Sequence, residues 1–131
     1  MRVLLVDDHT ILRQALRLVL EMEPDITIVG EAANGTDAVA LAHHLQPDIV
    51  LMDIGMPIMN GIEATRAIRA EAPGVCVIGL SMFSLDEQGA AIMAAGAVEF
   101  VTKSAPSAEL IAVLRACAAR QREEVRLKAA A

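Results

Sequence analysis

Five short apolar runs alternate along the chain with segments of helical periodicity. Runs this short and this apolar are typical of strands buried on both faces, as in parallel sheets. Strands that alternate with helices form such sheets through right-handed crossovers, and the helices cover both faces. The pattern predicts an α/β fold, a doubly wound three-layer sandwich of the (βα)5 type. The five predicted strands are Val3–Val6, Ile26–Val29, Ile49–Met52, Val75–Leu80 and Val98–Val101.

The predicted helices begin at polar residues. Thr10, Asn34 and Asn60 each precede a periodic apolar segment, which is the usual position of an N-cap, and Ser107 starts the last helix. In the first helix, which we expect to end near residue 22, one apolar stripe recurs at three- and four-residue spacing. We expect this stripe to face the core and the intervening polar residues to face solvent. The stripe is Ile11, Ala15, Leu18 and Met22, and the polar residues are Arg13, Gln14 and Arg17.

The length of the chain bounds the number of domains. Its 131 residues, 55% of them hydrophobic, supply one sizeable core and leave no room for a second. We expect a single domain over residues 1–118. Residues 119–131 are charge-rich and end in alanines, so we interpret them as a helical extension, a linker stub or an expression remnant.

Charge and composition exclude several classes of function. A net charge of −6 and a pI near 4.9 argue against direct DNA or RNA binding, which requires a basic patch. The N-terminal apolar run is too short for a signal peptide or a membrane span, so we expect no membrane association. Cys76 and Cys117 lie in apolar segments without metal-like spacing. We therefore expect two buried free thiols and a reducing, cytoplasmic location.

Polar side chains of different kinds follow four of the predicted strands. Asp7 and Asp8 come after the first strand, Asp53 after the third, Ser81 after the fourth and Lys103 after the fifth. The carboxyl ends of parallel strands share one edge of the sheet, which is where open α/β sheets bind ligands. Each residue alone has an ordinary explanation, as a capping aspartate, a loop hydroxyl or a solvated lysine. Their joint placement instead predicts one site.

Three carboxylates at one edge would repel one another unless a cation were bound, and carboxylate oxygens suit Mg²⁺. Such a cation would keep Asp53 ionised. An ionised carboxylate next to Lys103 and the Ser81 hydroxyl can accept a phosphoryl group, because the lysine and the hydroxyl would stabilise the phosphoryl oxygens. We therefore predict an aspartyl phosphate at Asp53. The small Gly55 would let its carbonyl turn toward the metal and leave room for water.

Four motifs occur in order along the chain. They are LLVDDH at residues 4–9, D-x-x-M-P-x-M-x-G from Asp53 to Gly61, Ser81 after the fourth strand, and AGAVEFVTK from Ala95 to Lys103. Over about residues 1–118 the chain resembles the receiver domain of bacterial two-component response regulators. The family has a flavodoxin-like fold, which implies the strand order 2-1-3-4-5. The DDH triplet and the DIGMP loop most resemble the subfamily whose receivers precede a LuxR-type helix-turn-helix domain (NarL/FixJ-like).

The resemblance implies a role for each site residue. Asp53 would be the phosphoacceptor, and Lys103 would pair with the phosphoryl oxygens. Ser81 and Phe100 would be the switch pair, in which the hydroxyl moves toward the phosphoryl group and the ring turns inward. The implied ligands of Mg²⁺ are Asp8, Asp53, the Gly55 carbonyl and, through water, Asp7.

The resemblance also implies partners. A sensor histidine kinase would supply the phosphoryl group, and a DNA-binding output domain, absent from this sequence, would control transcription. Receivers of this subfamily often pair through their first and last helices, so we expect a homodimer face with residues such as Leu12, Leu16 or Leu114. The chain itself would be a switch and not an enzyme that turns over substrate.

Three residues depart from the common pattern of the family. Ser104 stands where many receivers have a proline, often in a cis peptide, and we expect a trans bond here. Met82 is bulkier than the usual residue and could shield the phosphoryl group from water. Phe100 replaces the commoner tyrosine, so the switch would depend on packing alone.

Other functions are compatible with parts of the pattern. A phosphatase of the haloacid dehalogenase class also uses an aspartate nucleophile with Mg²⁺, but it requires D-x-D, and here Asp7 and Asp8 are adjacent. A flavodoxin-like FMN binder would need a Ser/Thr-rich phosphate loop and an aromatic residue on the flavin, and the chain has neither Trp nor Tyr. A stand-alone or degenerate receiver that acts as a protein-interaction module stays open.

Overall fold

The computed structural model describes residues 1–56, 59–81 and 87–130, and within them five strands alternate with five helices. None of the helices in these ranges is both long enough and apolar enough to cross a membrane. Most predicted strand ends lie within one or two residues of the observed ones. The elements are β1 (Arg2–Val6), α1 (Thr10–Glu21), β2 (Thr27–Ala32), α2 (Gly35–Leu45), β3 (Ile49–Asp53), α3 (Gly61–Glu71), β4 (Cys76–Ser81), α4 (Glu87–Ala94), β5 (Glu99–Thr102) and α5 (Ser107–Ala130).

The five strands form one parallel sheet in the order β2-β1-β3-β4-β5, which confirms the predicted fold. Successive side chains of a strand point to opposite faces, so the apolar runs supply two core layers. One layer packs on α2, α3 and α4 through residues such as Ala38, Ile68 and Ile92. The other packs on α1 and α5 through residues such as Leu20 and Leu114. Helices on both faces give the three-layer sandwich.

The predicted core face of α1 is wrong. Ile11, Leu18 and Met22 are 84%, 70% and 81% exposed, whereas Leu20 is fully buried. The helix carries a second apolar stripe, Leu12, Leu16 and Val19, which is partly buried on the side of α5.

Two arginines explain which stripe of α1 faces inward. Arg13 Nε lies 3.0 Å from Glu31 Oε1, and Arg17 Nη1 lies 2.7 Å from Glu31 Oε2. Glu31 belongs to β2, so these ion pairs hold the arginine face of α1 against the sheet. The pairing partner is distant in the sequence and cannot be read from the periodicity of the helix alone.

The N-caps of two helices follow the sequence prediction and one does not. Asn34 accepts a hydrogen bond from the Asp37 backbone at 2.8 Å, and Asn60 forms a capping box with Glu63. In α1 the cap position is His9, without a side-chain capping bond, and Thr10 is already helical. The His9 backbone N–H instead donates to Asp7 Oδ1 at 2.8 Å, which ties the start of α1 to the end of β1.

Helix α5 continues without a break to Ala130, past the boundary expected at residue 118. Gln121, beyond that boundary, donates from Nε2 to the carbonyl oxygens of Asp48 at 2.7 Å and Gly74 at 3.3 Å. At least one further turn of the helix is therefore joined to the amino-terminal edge of the sheet. Leu114 is fully buried, so it cannot form part of an exposed dimer face.

The two cysteines are both free thiols but differ in exposure. Cys117 is buried among the apolar residues of α5, whereas Cys76, at the start of β4, is half-buried. The prediction of two buried thiols is therefore correct for Cys117 and only partly correct for Cys76.

Candidate functional site

The candidate site lies at the carboxyl edge of the sheet, where β1, β3 and β5 end. Asp7 and Asp8 follow β1, Asp53 is the last residue of β3, and Lys103 follows β5 by one residue. Ligand atoms of Asp7, Asp8, His9 and Asp53 all lie within 4.8 Å of one another. The parallel sheet thus brings together carboxylates that are up to 46 positions apart in the chain.

Asp53 is held in place by the strand and by the turn that follows it. β3 is buried along its whole length, and Asp53 itself is only 3% exposed. Its Oδ1 accepts a hydrogen bond from the Gly55 backbone at 3.3 Å. This bond and the two neighbouring strands fix where the carboxylate points.

Gly61 allows helix α3 to begin directly against the end of β3. A Cβ at this position would overlap the Asp53 carbonyl oxygen and lie 2.8 Å from Ile54 Cα. The Gly61 backbone donates to the Ile54 carbonyl at 3.0 Å in the same contact. Only glycine permits this approach. Gly61 therefore helps to position Asp53, in addition to its expected role in the loop after β3.

Gly55 has no comparable steric need. A Cβ on Gly55 would meet nothing within 4 Å. The described neighbours therefore leave space for a larger side chain at this position. A role for its carbonyl as a metal ligand stays a prediction.

Lys103 supplies a positive charge in contact with two of the carboxylates. Its Nζ lies 3.0 Å from Asp53 Oδ1 and 3.2 Å from Asp7 Oδ2, and its side chain is 8% exposed. The Lys103 backbone N–H donates to the Ser81 carbonyl at 2.7 Å, which anchors the lysine to the end of β4. Burial opposes the charge of the lysine, but the hydrogen bond and charge of Asp53 raise its pKa, so the ammonium stays protonated.

Asp7 is the most enclosed of the carboxylates, at 1% exposure. Its backbone is held by hydrogen bonds to Ala32 and Arg13, and its Oδ1 accepts from the His9 backbone. His9 Nδ1 lies 3.2 Å from Asp7 Oδ1 and 3.3 Å from Asp8 Oδ1. The ring is largely exposed but touches both carboxylates, a contact that sequence reasoning did not anticipate.

The electrostatics of the site disfavour a negative charge on Asp53. Burial, followed by repulsion from the Asp7 carboxylate, raises the pKa of Asp53 to about 6, although Lys103 acts in the opposite direction. One lysine therefore does not compensate for the crowded carboxylates.

The acidic cluster has the donors expected for a small divalent cation. Asp7 Oδ2, Asp8 Oδ1 and Asp53 Oδ2 are buried and accept no hydrogen bond in the described part of the chain. Among the described residues, the first two have only ion-pair contacts, with Lys103 and His9, and Asp53 Oδ2 has no such contact. Carboxylate oxygens with unmet lone pairs fit Mg²⁺. A bound cation would also offset the repulsion between the carboxylates.

The proposed switch residues lie on β4 and β5, beside the acidic cluster. Ser81 is 2% exposed and stands one residue beyond Leu80, the partner of Asp53 in the β3–β4 register. Phe100 is half-buried and faces Gly79 across the β4–β5 pair. Met82 and Pro57 lie outside the described residues.

The ring of Phe100 packs against helix α4 at Gly89. A Cβ on Gly89 would lie 3.0 Å from both Cε2 and Cζ of that ring. A larger residue on this helix would displace the ring, so Gly89 determines where Phe100 rests. The two residues are 11 positions apart, and nothing in the sequence alone pairs them. The described residues contain no cis peptide bond, and Ser104 accordingly follows a trans peptide.

Comparison with known proteins points to one family. A family model described as the response regulator receiver domain matches residues 3–115. The transcriptional regulatory protein LiaR of Bacillus subtilis is 42% identical over 115 residues, which are 88% of this chain and 54% of LiaR. A crystal structure of a LuxR-family two-component response regulator from Aurantimonas sp. SI85-9A1 superposes with a TM-score of 0.85 at 38% identity, and the match covers 90% of this chain and 84% of that one.

An enzyme is also among the relatives. The protein-glutamate methylesterase/protein-glutamine glutaminase of Thermotoga maritima is 40% identical over 129 residues, which are 95% of this chain but only 36% of that protein. The chain thus spans about half the length of LiaR and about a third of the length of the methylesterase.

Proposed function

The chain belongs to the response regulator receiver domain family, as a receiver of the NarL/LuxR type, and on that premise we propose that Asp53 accepts a phosphoryl group from a histidine kinase. One observation carries the proposal. Asp53 lies in a buried acidic cluster with Lys103 Nζ 3.0 Å from one carboxylate oxygen, while the other oxygen has no hydrogen-bond partner in the described part of the chain.

The proposed reaction transfers a phosphoryl group between two side chains. An oxygen of the Asp53 carboxylate attacks the phosphorus of a phosphohistidine, a P–O bond forms, the P–N bond breaks, and neutral imidazole leaves after taking a proton. The Lys103 ammonium neutralises charge on the phosphoryl oxygens, and the Ser81 hydroxyl donates a hydrogen bond to one of them. Asp8, Asp53, the Gly55 carbonyl and, through water, Asp7 would hold Mg²⁺, which when bound supplies further positive charge at the same oxygens.

The proposed output is a shift between two conformations of β4, β5 and α4. Ser81 would move toward the phosphoryl group, and the Phe100 ring would turn inward from its contact with Gly89. The phenylalanine lacks a hydroxyl, so packing alone would determine the free-energy difference between the two positions of the ring.

The proposed partners follow from the family and the charge of the chain. A histidine kinase would be the phosphoryl donor, and a DNA-binding domain outside this chain would give the transcriptional output, as the name of LiaR suggests for that protein. The net charge of −6 supports an arrangement in which the receiver itself does not contact nucleic acid. A cytoplasmic location fits both partners.

We also propose that phosphorylated receivers pair through α1 and α5, but through other residues than the expected Leu12, Leu16 and Leu114, because Leu114 is buried and the other two are partly buried. The exposed apolar residues Ile11, Leu18 and Met22 of α1 would form part of this face. Sedimentation velocity with beryllofluoride should detect a dimer, and Leu18→Glu should abolish it. A chain that stays monomeric at high concentration with beryllofluoride would contradict the pairing.

The similarity to a methylesterase raises the alternative of an enzyme, but the match covers only about a third of that protein. We propose that this chain is a switch that is phosphorylated once per signal. Reaction with labelled acetyl phosphate and Mg²⁺ should give about one phosphoryl group per chain, without continuing release of product at a rate typical of a phosphatase.

The test of the phosphorylation site uses three proteins. Wild type should acquire a label that hydroxylamine removes, Asp53→Asn should acquire none, and the exposed Asp25→Asn variant should react like wild type. Retention of an acid-stable, hydroxylamine-resistant label in Asp53→Asn would show that the acceptor is another residue. Mass spectrometry of the labelled peptides identifies the modified side chain directly.

A further inference from the structure

The two cysteines meet at the opposite edge of the sheet from the acidic cluster. Cys76 is the first residue of β4, the strand that ends in Ser81, and Cys117 lies on α5. They belong to the same apolar cluster, although they are 41 positions apart in the chain. Both line a cavity of about 70 Å³ together with Val98, Arg120, Gln121 and Glu124.

We propose that Cys76 and Cys117 are an oxidant-sensitive thiol pair in which peroxide attacks at Cys76 and Cys117 closes an intramolecular disulfide between β4 and α5. This site is separate from the acidic cluster, and the proposal does not depend on phosphorylation.

The surroundings of the pair favour Cys76 as the attacking thiol. Cys76 is half-buried and opens onto the cavity, whereas Cys117 is 1% exposed. Arg69 donates to the Val75 carbonyl at 2.8 Å, so its guanidinium is held beside the residue that precedes Cys76. Interaction with the Cys117 thiol, assisted by Arg69 and Arg120, lowers the pKa of Cys76 to about 7, although burial and Glu124 oppose this. The same contact, with burial, raises the pKa of Cys117, which fits the role of a thiol that reacts second.

The proposed reaction has two steps, and hydrogen peroxide is the oxidant. The Cys76 thiolate attacks one peroxide oxygen, the O–O bond breaks, and the leaving hydroxide takes a proton to become water, so Cys76 becomes a sulfenic acid. The Cys117 sulfur then attacks the Cys76 sulfur, the S–O bond breaks, and the hydroxyl leaves as water with the thiol proton. Two thiols and one peroxide thus give one disulfide and two waters.

The anchoring of α5 holds Cys117 at the cavity that it shares with Cys76. Gln121, one helical turn beyond Cys117, bonds to the carbonyls of Asp48 and Gly74 in the loops that precede β3 and β4. This contact limits sliding of the helix over Cys76, so the second step competes well with further oxidation. The disulfide would then join covalently what Gln121 joins by hydrogen bonds.

The test treats the reduced protein with hydrogen peroxide, blocks remaining thiols under denaturing conditions and maps the peptides by mass spectrometry. Wild type should yield a peptide pair linked through Cys76 and Cys117, with a monomeric chain on a non-reducing gel. Cys117→Ala should accumulate a dimedone-reactive sulfenic acid at Cys76, and in Cys76→Ala the oxidation of Cys117 should be slower by on the order of tenfold or more. The Asp53→Asn variant should form the disulfide at the wild-type rate.

Other results would overturn the proposal. Complete alkylation of both cysteines in wild type after peroxide treatment means that the pair is inert, and a disulfide-linked dimer means that the reaction is intermolecular. Equal dimedone labelling of Cys117 in the Cys76→Ala variant would contradict the assigned roles. The wild-type measurement needs no substitution, so a variant that fails to fold does not weaken the test.

Discussion

The carboxylate of Asp53 should cost the protein stability when no metal is bound, and replacing it with asparagine should remove that cost. Asparagine has the shape of the protonated acid, and its side-chain oxygen can still accept the hydrogen bond from Gly55. Lys103 keeps its second partner, Asp7, at 3.2 Å. The substitution therefore removes the unfavourable charge together with the ion pair to Lys103, whose favourable effect is already included in the raised pKa of Asp53.

The size of the gain follows from the difference in pKa between the folded and unfolded states. The pKa of Asp53 is about 6 in the folded chain, because of burial and the Asp7 charge, against an ordinary value of 3.8. Each pH unit corresponds to about 1.4 kcal/mol, so the full difference is worth about 3 kcal/mol. Solvent at the open edge of the sheet screens part of it, and we expect Asp53→Asn to raise the free energy of unfolding by about 1–3 kcal/mol at pH 8.

The sign of the effect sets its pH dependence. Because the folded pKa is the higher one, the folded state binds the proton more tightly than the unfolded chain does. Below about pH 4 both states are protonated and the wild type has no penalty, between about pH 4 and 6 the penalty grows, and above about pH 6 it is complete. The advantage of the variant should follow the same course.

Urea unfolding monitored by far-UV circular dichroism in EDTA is a suitable assay, because the chain has no Trp or Tyr for fluorescence. The matched control is Asp25→Asn, an exposed carboxylate paired with Arg115, which should show no gain at any pH. Mg²⁺ should reduce the difference between wild type and Asp53→Asn, because the cation binds the folded wild type. Equal stability of the two proteins at pH 8, or a gain that persists below pH 4, would refute the reasoning.

Three further predictions concern elements that position the site or support it. Gly61→Ala should lower the free energy of unfolding by about 1–3 kcal/mol, because the new Cβ meets the carbonyl at the end of β3, whereas Gly55→Ala should be near neutral; urea unfolding compares the two. Although burial opposes it, the two arginines of α1 lower the pKa of Glu31 below its ordinary value of 4.5, so the ionised carboxylate stabilises the fold above that pH. Glu31→Gln should destabilise the protein there and lose its effect as the pH falls through the lowered pKa, and a pH-independent loss would be contrary evidence. Leu20→Ala should cost about 2–5 kcal/mol and Ile11→Ala less than about 0.5, because one is fully buried and the other 84% exposed; a comparable loss for both would restore the face predicted from periodicity.

Much of the fold could be predicted because it depends on local patterns. Short apolar runs indicate the strands, and Asn34 and Asn60 indicate where two helices begin. The carboxyl ends of parallel strands necessarily lie at one edge of the sheet. The order of the strands came from the family resemblance, since alternation alone allows several orders. The face of α1 could not be predicted because both of its stripes have helical spacing, and Glu31 on another element decides between them.

The site shows the same division between local and distant information. Asp7, Asp53 and Lys103 could be placed together because each one ends or follows a strand. The roles of Gly61 and Gly89 could not be found, since each depends on how closely a helix approaches a distant backbone or ring. The shared cavity of Cys76 and Cys117 was missed for the same reason, because no short motif links the two residues.

The sheet is mechanically unequal on its two sides of Asp53, and this determines where a load applied at the carboxylate is relieved. β3 lies between β1 and β4 and is buried along its length, so its backbone has little room to move. β2 and β5 are both edge strands with a single neighbour, but β5 is the shorter, with four residues against six, and three of its four residues are only half-buried. When the end of β3 is perturbed, we therefore expect β5 and the neighbouring α4 to move more than the central strands. In the proposed switch, the layout of the strands would fix the direction of the response, and Ser81 and Phe100 would determine only how large it is.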